Sequence, residues 1–221
     1  MNEKNVRTPP DALLLTATGC PHCPTVHAGL SELVKQGKIG HLEVVNISTH
    51  PEVAQQHGVR GVPWLRLGPF ELQGLRSPAE LAQWAARAGT PAGMAEYFRE
   101  LLDTGELAKV IAVVQRDSGQ LDALLLLLAD PDTALGVRVG IGAVMEEFSG
   151  TAELRQRVEK PGRLTLSKDE HIRGDAAHFL ALTRDARALV FLKPLVNDAE
   201  EQVREIARES LSALEDTVPP G

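Results

Sequence analysis

The sequence predicts an α/β domain followed by an all-α domain, and two observations support this prediction. Residues 11–90 alternate short apolar stretches with stretches of helical periodicity, whereas residues 94–216 are rich in Ala and Leu and show no strand pattern. Between them, the segment Gly89-Thr90-Pro91-Ala92-Gly93 interrupts the periodicity and is typical of a boundary. We therefore expect one domain over residues 11–90 and a second over residues 94–216.

Four strands and three helices are expected in the N-terminal domain, in the order β-α-β-α-β-β-α. Apolar, partly β-branched stretches predict strands at residues 12–17, 42–47, 64–67 and 70–73. Helical periodicity and flanking breakers predict helices at residues 23–36, 51–57 and 78–88. The strand–helix–strand order implies a parallel pair joined by a right-handed crossover, and Gly68-Pro69 favours an antiparallel hairpin at the end.

A short pattern recurs in the helical domain. A β-branched residue followed by Arg appears as Val137-Arg138, Ile172-Arg173 and Val203-Arg204, at intervals of 35 and 31 residues. Such a period is typical of an α-solenoid with two helices per unit. Each pair also follows a turn aspartate, which is Asp132, Asp169 or Asp198 in turn. Each pair also precedes a small residue, which is Gly140, Ala176 or Ala207 in turn. Residues 94–214 thereby resemble HEAT-type helical repeats, which implies an all-α solenoid; a generic helical bundle is the alternative.

Composition and charge exclude several classes of protein. The chain has 30 acidic and 23 basic residues and a net charge of −7, which argues against a nucleic-acid-binding protein. The acidic excess lies after residue 90, where 23 acidic residues face 15 basic ones. The apolar run at residues 124–129 is far shorter than the roughly 20 residues of a membrane span, so no membrane association is expected. The polar first ten residues do not form a secretory signal, and the expected location is cytoplasmic.

The motif Cys20-Pro21-His22-Cys23 stands where the first strand gives way to the first helix. The first turn of a helix leaves backbone N–H groups unpaired and carries partial positive charge, so it stabilises a thiolate and lowers the pKa of a thiol there. Cys20 is the predicted nucleophile and Cys23 the residue that resolves the mixed disulfide. Pro21 suits the first helical position, and a protonated His22 would favour the thiolate and make the disulfide more oxidising.

Two other interpretations of the cysteine pair were weighed against redox chemistry. One is a metal site with His27 as third ligand and His50 or His57 as a distant fourth, although no second C-x-x-C exists. The other is an inert buried pair. A C-x-x-C between a strand and a helix of a βαβ pattern favours a redox pair, for which neither a cofactor nor a metal is expected.

The segment His57-Gly58-Val59-Arg60-Gly61-Val62-Pro63-Trp64 carries a proline at the start of a strand-like run. Proline cannot donate to a strand ladder, and the position fits a cis Val62–Pro63 bond. With C-x-x-C and this loop, residues 11–88 resemble a short member of the thioredoxin superfamily. The resemblance implies that Pro63 packs against Cys20 and Cys23, that Val62 pairs its backbone with a client, and that Pro21-His22 matches the oxidising, disulfide-forming branch.

Site residues follow from the motif and the resemblance together. Cys20 and Cys23 are predicted to be catalytic, with Pro21, His22 and Pro63 in support. Substrate binding is assigned to Gly61, Val62 and Trp64, although a half-buried strand aromatic is the favoured interpretation of Trp64 by itself. The family's buried Asp corresponds to Leu14 here and the acid after the second strand to Ser48, so the proton relay to Cys23 is missing or replaced. His27 could partly substitute for it, but a solvated histidine on the helix face is the favoured interpretation.

The sequence therefore predicts a cytoplasmic thiol–disulfide oxidoreductase whose clients are proteins with a disulfide or a dithiol. The acidic helical repeats are expected to bind a basic protein partner. The alternative is a non-enzymatic scaffold or redox switch, in which the thioredoxin-like module mainly docks partners.

Overall fold

A computed structural model describes residues 8–216 of the chain. These residues divide into two compact units, one reaching Met94 and the other starting at Ala95. The first combines a sheet with helices and the second is helical, so the predicted fold class is confirmed, although a solenoid arrangement of the helices stays a prediction. No helix within residues 8–216 is long and apolar enough to cross a membrane.

The first unit is built on a four-stranded mixed sheet. Its elements are β1 (Ala12–Thr16), α1 (Cys23–Lys35), β2 (Leu42–Asn46), α2 (Pro51–Gln56), β3 (Trp64–Leu67), β4 (Phe70–Gln73) and α3 (Pro78–Arg87). The strand order is β2-β1-β3-β4; β1 pairs in parallel with β2 and antiparallel with β3, and β3 forms a hairpin with β4. The parallel pair and the terminal hairpin are those that the sequence predicts.

The central strand β1 is buried on both faces. Leu13 and Leu15 pack with Trp64 in one apolar cluster, and Leu14, which points to the opposite face because side chains alternate along a strand, is completely buried. The helices α1 and α3 approach each other at Gly29, where a Cβ atom would lie only 2.8 Å from Leu81 Cδ1. The lack of a side chain at Gly29 thus allows the two helices to pack closely.

Nine helices follow within residues 8–216. They are α4 (Pro91–Asp103), α5 (Leu107–Arg116), α6 (Leu121–Leu128), α7 (Leu135–Glu147), α8 (Ala152–Arg155), α9 (Glu159–Leu164), α10 (Glu170–Leu182), α11 (Leu189–Leu195) and α12 (Glu201–Glu215). Two differences from the predicted elements stand out. The helix α4 begins at Pro91, inside the expected breaker, because Thr90 Oγ1 caps it by accepting the Gly93 N–H at 2.8 Å. The helix α9 was not predicted.

The recurring pairs of the helical unit are structurally similar at two of their three positions. The β-branched members Val137, Ile172 and Val203 are all buried. Arg173 Nη1 donates to the carbonyls of Ser167 and Lys168, and Arg204 Nη1 donates to those of Asp198 and Ala199, in each case six and five residues earlier. Arg138 instead forms an ion pair with Asp175 at 2.9 Å. The HEAT-type assignment rests on this partial repetition and stays a prediction.

Candidate active site

The cysteines occupy the connection between β1 and α1. Their Sγ atoms are joined in a disulfide, and their Cα atoms are 5.6 Å apart. A turn leads into the pair, in which the Cys20 N–H donates to the Ala17 carbonyl at 3.2 Å and Gly19 has a φ of +78°, a value that favours glycine. The pair can therefore open and close as a small ring at the start of a helix.

The first backbone N–H of α1 points at the sulfur of Cys20. His22 is the N-cap, Cys23 is the first helical residue and Pro24 stands in the first turn. The Cys23 N–H donates to Cys20 Sγ over 3.2 Å. The prediction that Pro21 is the first helical residue was wrong, because Pro21 and His22 form a bend and the helix starts two residues later. The predicted setting for Cys20, beside the unpaired donors of a helix N-terminus, is nevertheless present.

The two sulfur-bearing residues differ in their access to solvent. Cys20 is partly exposed, whereas Cys23 is only 5% exposed. Pro21 and His22 between them are exposed. An approaching protein therefore reaches Cys20 first, in accord with its expected role as the nucleophile.

The loop that carries Cys20 is tied to the loop after β2, an arrangement that the sequence analysis missed. The Thr18 N–H donates to Ser48 Oγ at 3.1 Å, Asn46 Nδ2 donates to Thr18 Oγ1 at 3.3 Å, and the Ser48 N–H donates to Asn46 Oδ1 at 2.9 Å. Polar residues that follow two neighbouring parallel strands meet at one edge of the sheet, and that pattern was the available signal. This network holds the approach to Cys20 in place.

The Val62–Pro63 peptide bond is cis, as the proline position suggests. Because Leu15 faces Trp64 across the antiparallel pair of β1 and β3, Pro63 lies at the end of β1 from which the cysteine loop departs. Val62 is partly buried against the Leu13–Leu15–Trp64 cluster. Within residues 8–216, neither its N–H nor its carbonyl is engaged in a hydrogen bond, which leaves this backbone available for pairing.

Three further residues of interest lie in different surroundings. Trp64 is only 5% exposed, with its ring 5.2 Å from that of His57, so it is mainly a core residue and its assignment to substrate binding stays a prediction. Leu14 is fully buried and supplies no proton acceptor. His27 is exposed on α1.

Across the described residues, no three His, Cys, Asp or Glu side chains are grouped to hold a metal ion.

The family comparison agrees with this geometry. Residues 13–86 match the model of a thioredoxin domain family, which covers about a third of the chain. No curated protein matches the chain. The first unit is therefore a thioredoxin-like domain with a close cysteine pair, followed by a helical region that the family model does not include.

Proposed function

We propose that the protein is a thiol–disulfide oxidoreductase in which Cys20 is the nucleophile and Cys23 the resolving residue. The observation that carries the proposal is the Cys23 N–H directed at Cys20 Sγ at the start of α1, in a pair that closes to a disulfide. A thiolate on Cys20 accepts that hydrogen bond and also benefits from the positive end of the helix dipole. The domain match and the cis proline beside the loop support the same chemistry.

The reaction transfers two electrons between the protein and a client. In the reducing direction, the Cys20 thiolate attacks one sulfur of a client disulfide, a mixed disulfide forms, and the second client sulfur leaves as a thiolate that takes up a proton. Cys23 then loses its proton and attacks Cys20 Sγ. The S–S bond to the client breaks, the client leaves as a dithiol, and Cys20 and Cys23 are oxidised to the disulfide. In the opposite direction the same steps oxidise a client dithiol.

The loop around Pro63 is proposed to hold the client. A free N–H and a free carbonyl on Val62 suit an extended peptide, which pairs by main-chain hydrogen bonds and so accepts many sequences. The adjoining Gly61, where a Cβ atom would lie 3.1 Å from Gln73 Nε2, is proposed to contact the client as well. His22, exposed next to Cys23, is proposed to stabilise the Cys20 thiolate, which favours the reduced pair and makes the disulfide a stronger oxidant.

The helical region is proposed to bind a basic protein partner and present it to the thioredoxin-like domain. Its acidic excess supports that choice, because opposite charge accelerates association and favours basic surfaces. A cytoplasmic location is part of the same proposal.

The test combines two activity assays with matched cysteine variants of the full-length chain. We expect the wild type to catalyse either reduction of insulin disulfides or oxidation of a reduced test protein. We expect Cys20→Ser to abolish the activity, and Cys23→Ser to accumulate a mixed disulfide through Cys20. The equilibrium potential in glutathione buffers gives the direction, near −270 mV for a reductase and near −120 mV for an oxidant. Activity unchanged in Cys20→Ser would reject the proposal, and a wild type without either activity would reject it in favour of a scaffold.

A further inference from the structure

A groove of about 670 Å³ lies in the helical unit, bounded by α7, α10 and α12. It contains neither cysteine and takes no part in the proposed redox chemistry. Its walls combine exposed apolar side chains with several carboxylates, a combination that the packing of the three helices does not require. The groove is therefore a candidate interaction surface.

The apolar wall is one face of α7. Leu135 is 77% exposed and Val139 is 65% exposed, although both are large aliphatic residues. They are four residues apart and so lie on the same face of the helix, which Gly142 and Ala143 continue by one turn. A Cβ atom added at Gly142 would meet no atom within 4 Å, so the floor of the groove is open there.

The acidic wall comes from the first turns of the neighbouring helices. Glu170 at the start of α10 and Glu200 just before α12 are exposed and line the groove. Glu146 on α7 adds a third carboxylate, 62% exposed and 3.5 Å from His178 Nε2. Arg173, a cation on which Glu170 and Glu200 also act, is held by Asp198, so the three carboxylates leave this wall with an excess of negative charge.

Arg138, which also lines the groove, does not neutralise it. The Arg138 side chain is only 9% exposed, and its guanidinium lies 2.9 Å from the Asp175 carboxylate. Its charge is therefore matched within the protein. The remaining exposed carboxylates leave the groove with a negative field at its mouth.

We propose that this groove docks a basic, amphipathic helical segment of a partner protein. Apolar side chains of the segment cover Leu135 and Val139, and its Lys or Arg side chains face Glu146, Glu170 and Glu200. Opposite charge selects the segment, and the apolar face supplies contact area. A small apolar ligand fits less well, because the two aliphatic side chains stand in solvent at the rim instead of enclosing a cavity. The inference deepens the proposed partner role of the helical region and is independent of the thiol chemistry.

The steric arm of the test uses two glycines of α7. The probe is a fluorescein-labelled peptide of about 15 residues, long enough to form a helix, with leucines on one face and lysines on the other. Full-length Gly142→Leu fills the groove and is expected to weaken binding about tenfold or more. Gly136→Leu is the matched control, because a Cβ there also meets no atom within 4 Å but Gly136 does not line the groove. Its affinity should stay within about twofold of the wild type.

The charge arm neutralises the acidic wall. The double variant Glu170→Gln with Glu200→Gln should weaken binding of the probe at least about threefold and reduce the dependence of its affinity on salt. The control is the double variant Glu153→Gln with Glu205→Gln, whose residues lie outside the groove. It should change neither the affinity nor its salt dependence. A scrambled peptide of the same composition should bind about tenfold more weakly than the helical probe.

Three results would overturn the proposal: no binding of the probe, equal effects of the two glycine variants, or equal binding of the scrambled peptide. Self-association of the wild type that Gly142→Leu abolishes would assign the groove to a second copy of the chain and would likewise overturn it. The double variant Cys20→Ser with Cys23→Ser should bind the probe with the affinity of the wild type. A failure of the groove proposal is thereby distinguishable from a failure of the proposed redox function.

Discussion

Reduction of the Cys20–Cys23 disulfide is expected to leave the thioredoxin-like domain at least as stable as its oxidised form. A disulfide ordinarily stabilises a fold by restricting the unfolded chain. Here reduction also creates a thiolate, and the folded state holds a donor for it that the unfolded state lacks, the Cys23 N–H. The two effects oppose each other, and their sizes decide the sign.

The ring is too small for the cross-link to contribute much. The sequence separation of the cysteines is 3, and the loop-entropy relation gives about 1.9 kcal/mol for a ring of this size. A hydrogen bond from a backbone N–H to a charged acceptor contributes about 1.5–3 kcal/mol. The helix dipole adds about 0.3–1 kcal/mol at an accessible site. The reduced domain should therefore be about 0–2 kcal/mol more stable than the oxidised one, which by linkage makes the disulfide an oxidant.

Tryptophan fluorescence measures this difference selectively. The chain has two tryptophans, Trp64 and Trp84, and both are buried in the thioredoxin-like domain. Urea unfolding is followed at about pH 8, close to the pKa of an ordinary cysteine thiol, with and without a reducing agent. The variant Cys20→Ser with Cys23→Ser is the control and should not respond to the reducing agent. A loss of about 2 kcal/mol or more on reduction would refute the stabilised thiolate.

Two further predictions concern the helical unit. Arg173→Met removes a two-point contact to Asp198, between side chains only 13% and 9% exposed, and should cost about 2–4 kcal/mol in urea unfolding followed by circular dichroism. Arg187→Met, at a pair whose arginine side chain is 57% exposed, should cost less than about 1 kcal/mol. Equal costs would contradict this. The Arg173 guanidinium lowers the pKa of Asp198, so its stabilisation is complete above the unfolded value of about 3.9 and is lost as the pH falls through the folded pKa. The stability deficit of Asp198→Asn should therefore shrink between about pH 6 and pH 3, and a constant deficit would disprove the coupling.

The sheet could be predicted from sequence because its signals are local. Residues 64–67 and 70–73 form strands with the predicted bounds, since Gly68-Pro69 separates two apolar runs and Gly68 adopts a φ of +56°. The cysteine pair was identifiable for the same reason, because motif, strand and helix are contiguous in the chain. The cis bond at Pro63 followed from a proline that a strand ladder does not accommodate.

Features that depend on distant residues could not be predicted in the same way. The helix α9 contains Pro161 and Gly162, which ordinarily indicate a break, but Pro161 lies in its first turn and Gly162 is buried where a Cβ would meet the Phe191 ring at 2.7 Å. The Thr18–Asn46 contact joins the cysteine loop to the end of β2, across a sequence separation of 28. The groove of the helical unit likewise requires knowledge of which helix faces stay uncovered. Tertiary packing decides each of these cases.

The two cysteines meet different chemical demands, and the domain supplies only one of them locally. Attack by Cys20 needs a stabilised thiolate and access to the client, which the Cys23 N–H and the partial exposure of Cys20 provide.

Release of the client needs Cys23 to lose its proton, although this residue is only 5% exposed. The central strand offers no group for that proton, because Leu14 fills the corresponding buried position and β1 contains no ionisable residue. On the proposed chemistry, we therefore expect the mixed disulfide to form faster than it resolves, which would make the client complex the long-lived intermediate. A long-lived complex gains most from a second contact elsewhere on the chain, because linked sites raise the effective concentration of the partner. This gives the acidic groove of the helical unit a physical reason to belong to the same chain as the cysteine pair.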